Sequence, residues 1–184
     1  ANGMIHAPAD AVDIIRARRP FEADDVARIA VGSNQHAINE VGSIRKPHDI
    51  FGFQFSMNYA LALQIVKHGN NFDAYTEENL NDPDIAALAE RIFTETDEEV
   101  DSWFPEKIGG RVRIEFADGG VEEELVEDCR GTPGNPMSAA ELETKARAVA
   151  SMSMTEAKFD ILIAAVRSLE TLADVRELGD ALRG

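Results

Sequence analysis

The chain has 184 residues, 18 of them Lys or Arg against 34 Asp or Glu, for a formal net charge of −16. So acidic a surface argues against nucleic acid and anionic membrane as partners, since both are held by clusters of Lys and Arg. A small anion is admissible only where cations gather locally, as Arg45, Lys46 and His48 do. Cys129 is the single cysteine, so no intrachain disulfide forms and a reducing, cytoplasmic setting is expected. No stretch reaches the roughly 18 unbroken apolar residues of a membrane span, and the opening residues lack the layout of a secretory signal.

The first predicted element is a helix over 6–18. Pro8 suits its first turn, while Ile5, Ala9, Val12 and Ile15 recur at helical spacing and Pro20 stops it. Residues 25–32 alternate Val26, Arg28 and Ala30 against Ala27, Ile29 and Val31, which predicts a strand. A polar loop rich in Asn, Gly and His spans 33–49, long enough to be functional. Helical spacing resumes over 55–68 through Phe55, Tyr59, Leu63 and Val66, closed by Gly69. A further helix is expected over 83–94, with Ile85, Leu88, Ala89 and Ile92 on one stripe. Two strands, 111–116 and 121–126, flank Ala-Asp-Gly-Gly and read as a hairpin. Ser138 with Glu141 makes a capping box, and helices follow over 138–150, 155–169 and 171–182.

This order predicts an α+β fold. A small mixed unit over 21–130 is bracketed by a helical segment over 1–20 and another over 131–184. A sheet this small cannot cover every helix, so a further helical domain is expected to supply the missing surface.

Local motifs exclude several chemistries. Gly109-Gly110 and Gly119-Gly120 lack the spacing of a phosphate loop. One cysteine and four scattered histidines make no local zinc motif, and no nucleophile elbow is present. The acidic runs 95–101 and 122–128 read as solvated faces. Polar groups at element ends remain. His6 reads either as a surface or capping histidine or as a general acid or base suited to neutral pH. Tyr59, three residues after Ser56, reads either as plain packing or as a donor to a developing oxyanion. Arg45 and Lys46 belong either to a solvated loop or to a carboxylate clamp.

The segment GMIHAPADAVDIIRAR resembles the point where enzymes of the MmgE/PrpD family pass from a large helical domain into a smaller lid-like one. RPFEADDVARIAV is similar to that family's entry into its first strand, and GFQFSMNYALALQIVKHG to its tyrosine-bearing, alanine-rich helix. RVRIEFADGG, RGTPGNPMSAAELETKARAVAS and LADVRELGDALRG resemble its hairpin, linker with return helix, and C-terminus. The family comprises 2-methylcitrate dehydratases, cis-aconitate decarboxylases and iminodisuccinate epimerases. The resemblance therefore implies the C-terminal portion of a lyase or isomerase that moves a proton next to a carboxylate of a small polycarboxylic acid.

It implies further a two-domain, commonly homodimeric enzyme without metal or organic cofactor. The absent N-terminal large domain would supply the other acid/base groups, leaving these 184 residues inactive alone. The family's lid histidine and tyrosine carry over onto His6 and Tyr59 as catalytic candidates. Ser56, Arg45 and Lys46 are the substrate-binding candidates, with Asn34 and His36 as further loop residues able to set specificity. Asn58 stands where relatives often carry proline. The competing reading is a non-catalytic α+β protein-interaction module.

Overall fold

The computed structural model describes residues 1–182, so the last two residues of the predicted C-terminal segment lie outside it. The chain divides into two compact units, Ala1–Pro136 and a second from Met137 onward.

In the first unit, helix α1 (His6–Arg18) follows a 3-10 turn, and strand β1 (Val26–Ser33) comes next. Within the expected loop lie a short α2 (Gln35–Ala37) and a π-turn (Ile38–Gly42), and α3 (Ile50–Gln54) follows it. After it come α4 (Met57–Lys67), α5 (Glu77–Leu80), α6 (Pro83–Ala89), β2 (Ile92–Thr96), α7 (Glu98–Ser102), β3 (Gly110–Phe116) and β4 (Val121–Val126). The strands form one sheet in the order β2-β1-β3-β4, with β1 parallel to β2 and the other pairs antiparallel. Ile29 sits between Ile92 and Ile114 in register, and all three are fully buried. Along β3, Val112, Ile114 and Phe116 face the core while Arg111, Arg113 and Glu115 take the opposite face, as a period of two requires. Helix α1 packs on β3 and β4, and α4 on α1, α6 and β2. Ala7, Ala11, Val12 and Ile15 of α1 join Leu61, Leu63 and Ile65 of α4 in this core.

The α+β class, the 6–18 helix, the first strand, the hairpin and the capping box all hold. Three expectations are corrected. The helix expected over 83–94 ends at Ala89 and gives way to β2. Arg91 is the reason: its carbonyl accepts the Ile29 amide, and its guanidinium donates to the Val26 carbonyl, so both its backbone and its side chain hold β1. Beyond it, Ile92, Thr94 and Thr96 are β-branched and suit the sheet edge. The helix expected from residue 55 starts at Met57, because Ser56 is extended and caps it through its side chain. The acidic run 95–101 is partly structural, since Asp97 caps α7 and pairs with Arg111 at 2.7 Å.

The second unit contains α8 (Ala139–Ala150), α9 (Glu156–Arg167) and α10 (Arg176–Leu182). The Ser138–Glu141 capping box starts α8 as expected. Phe159 is buried, with the Arg147 guanidinium 4.5 Å above its ring, whereas Leu142, Val149, Ile161 and Val166 are exposed. No helix among the described residues is long and apolar enough to cross a membrane.

Candidate active site

His6 opens α1, and residues 6, 10 and 13 fall on one face of that helix by the i, i+4, i+7 rule. The His6 ring is exposed, its Nε2 3.3 Å from the Ala1 carbonyl. It borders a cleft of about 380 Å³ whose walls also include Asp10, Asp13, Gln64, His68 and Arg130. Asp10 accepts the Arg130 amide at 2.6 Å. Gln64 is 3 % exposed, and its amide donates to Asp13 at 2.7 Å and to the Ala9 carbonyl at 2.9 Å. Arg16 donates to the Gln64 and Ile65 carbonyls, satisfying groups that a helix C-terminus leaves open. The cleft walls, α1 and α4, are therefore clamped together at two points.

The far wall is set by the end of α4. His68 takes the left-handed conformation, φ 55°, and not the glycine that follows it. Its Nε2 lies 3.4 Å from the Glu22 carboxylate. Asn70 accepts a hydrogen bond from the Tyr75 hydroxyl. Burial pushes the Tyr75 phenol well above its ordinary value, against the smaller opposing effect of that bond, so it stays a neutral donor at physiological pH.

Tyr59 is half-buried in the first turn of α4, with the Phe53 ring meeting it edge-on at 6.1 Å and 89°. It does not line the His6 cleft. The Asn2 amide donates to the Gln54 carbonyl at 2.9 Å, tying the segment before α1 to the end of α3. Ser56 is fully buried. Its hydroxyl lies 2.7 Å from both the Ile44 carbonyl and the Asn58 side-chain oxygen, and accepts the Tyr59 amide. Arg45 donates to the Ile92 carbonyl at 2.8 Å and leans towards Phe93. Lys46 is exposed, 3.6 Å from Glu90. Asn34 is buried as the cap of α2, and the His36 ring packs on Phe104.

The structure thus brings His6 together with Asp10, Asp13, Gln64 and His68, and brings Ser56 together with Tyr59 and the loop of Arg45 and Lys46. Sequence reasoning missed the cleft partners of His6. A signal existed: the spacing of His6, Asp10 and Asp13, and a lone glutamine in the apolar run 60–66. An exposed imidazole beside two carboxylates is able to exchange protons with a ligand. Two carboxylates against the guanidinium of Arg130 leave these walls without an excess of fixed positive charge for a polyanion. Among the described residues no cluster of three His, Cys, Asp or Glu side chains could hold a metal ion.

The family described as MmgE/PrpD C-terminal domain matches residues 1–171. The chain is also 27 % identical to a cis-aconitate decarboxylase of Aspergillus terreus, and 28 % identical to one from Aspergillus terreus strain NIH 2624 / FGSC A1156. Each alignment covers 98 % of this chain but 38 % of the relative, so the chain spans under two-fifths of the length of those curated relatives. With that domain matched over 171 of its 184 residues, this chain belongs to the MmgE/PrpD family and carries its C-terminal domain.

Proposed function

We propose that this chain is the C-terminal part of a cofactor-independent lyase or isomerase acting on a small polycarboxylic acid. The reaction is proton transfer at a carbon next to a carboxylate, completed as dehydration, decarboxylation or epimerisation. What carries the reading is the family match across residues 1–171 together with an exposed histidine at the rim of a polar cleft. The similarity to cis-aconitate decarboxylases makes cis-aconitate the first acid to try.

In this reading His6 takes or returns the proton, because an imidazole has one ring nitrogen to accept a proton and another to donate one. Tyr59 donates to the oxyanion that develops when the neighbouring carbanion delocalises. Lys46, exposed on its loop, binds a carboxylate. Asp10 and Asp13 give the His6 cleft a negative bias, so the remaining cations come from a further domain of the same enzyme or from a second copy in a homodimer. The 184 residues are then inactive alone.

Proton NMR in D2O tests this. The full-length enzyme containing this chain is incubated with cis-aconitate, 2-methylcitrate, citrate and iminodisuccinate, with the 184-residue chain in parallel. Deuterium incorporation or product from the full-length enzyme alone is expected. Silence from both across the panel overturns the reading.

A further inference from the structure

Asn58 is 2 % exposed, and its side chain ties the start of α4 to two other segments. Its Nδ2 donates to the Arg45 carbonyl and to the Ala89 carbonyl, both at 3.2 Å. Its Oδ1 faces the Ser56 hydroxyl at 2.7 Å. The amide orientation is determined by chemistry: turned over, its oxygen would face two carbonyl oxygens. Ser56, fully buried, holds the adjoining Ile44 carbonyl at 2.7 Å and accepts the Tyr59 amide at 3.3 Å. The backbone of residues 44 and 45 is thus bonded to the same two side chains that begin the Tyr59 helix. Arg45's own guanidinium is committed to the Ile92 carbonyl, which leaves Lys46 as the cation this anchored loop turns outward, 74 % exposed.

We infer that Asn58 is a positioning residue for the candidate site, fixing the loop that presents Lys46 against the helix that presents Tyr59. The inference rests on the proposed reading only for what Lys46 binds; the anchoring itself stands on the two hydrogen bonds that the Asn58 amide donates. Replacing Asn58 by alanine leaves two carbonyls without their donor and frees the loop while keeping both Lys46 and Tyr59. A loop cation that binds a carboxylate equally in ground and transition states affects KM and leaves kcat largely alone.

The test compares Asn58→Ala, Asn58→Ser and Tyr59→Phe in the full-length enzyme, by amide hydrogen exchange over 43–49 and by steady-state kinetics on the acid that turns over. For Asn58→Ala, exchange at residues 44–46 is expected to quicken about tenfold or more, with KM up about tenfold and kcat within about threefold of wild type. Wild-type exchange in the loop, or faster exchange with an unchanged KM, overturns the inference. Should Asn58→Ala fail to fold, Asn58→Ser decides on the same two readouts, because it withdraws the amide donor from both carbonyls and leaves a small polar side chain in its place. If no acid of the panel turns over, the functional reading fails, and loop exchange alone decides whether Asn58 is the anchor.

Discussion

At the scale of single residues, the two side chains proposed to carry the chemistry differ sharply in how tightly they are held. His6 is exposed and borders its cleft, whereas Tyr59 is half-buried against Phe53. Both contributions can be removed without disturbing the core. Tyr59→Phe keeps the ring and its edge contact, and His6→Ala deletes an exposed imidazole. Each is expected to lower turnover of the full-length enzyme about 100-fold, the usual size of a positioned proton-transfer group. Thermal unfolding should stay near wild type. Steady-state kinetics on the purified variants checks this, and unchanged turnover in both would remove them from the chemistry.

At the scale of elements, helix ends and one ion-paired cap govern local stability. Helix α4 ends on His68 in the left-handed region, where an L side chain is strained and glycine is not. His68→Gly is expected to stabilise the fold by about 0.5–1 kcal/mol, read as a higher denaturant midpoint. The exposed contact to Glu22 that it gives up contributes little.

Asp97 starts α7. Burial opposes its ionisation, but the Arg111 guanidinium and the amides of Val100 and Glu99 outweigh that and hold its carboxyl below the usual range. A carboxyl depressed in the folded state contributes stability that is fully present above its unfolded pKa. That stability is lost as pH falls through the folded value. Asp97→Asn should therefore cost about 1–2 kcal/mol near pH 7. The gap to wild type should close in denaturant titrations run progressively below about pH 4, near the ordinary carboxyl value. A gap independent of pH would mean that the Arg111 pair is not its source.

At the scale of the whole molecule, the two units are unequal. The continuous core lies entirely within Ala1–Pro136, while Phe159 is the buried apolar side chain among the described residues from Met137 onward. Buried apolar area is the dominant favourable contribution to folding. Residues 1–136 alone are expected to unfold in one cooperative transition with the near-ultraviolet signal of packed aromatics. A peptide of 137–184 should lose most of its helical circular dichroism, since short helices without tertiary packing are marginal in water. A cooperative transition in the peptide would show that its exposed apolar residues are not needed elsewhere.

Sequence alone determined the local decisions. Proline placement set the bounds of α1, alternation set β1 and the hairpin, and the Ser138–Glu141 box started α8, because each depends on residues within a few positions of one another. The order of these pieces was also enough for the family resemblance. The tertiary structure decided what depends on residues far apart. Ile92 suits a helical stripe by spacing, yet Arg91 binds β1 more than 60 positions away and draws that segment into the sheet. The partners of His6 came from α4, through a glutamine whose amide reaches Asp13 from 51 residues on. Ser56 and Asn58 became anchors because folding set the 44–45 backbone beside them. A buried hydrogen bond needs a partner brought near by the packing of other elements, and no local pattern in the chain encodes which partner that will be.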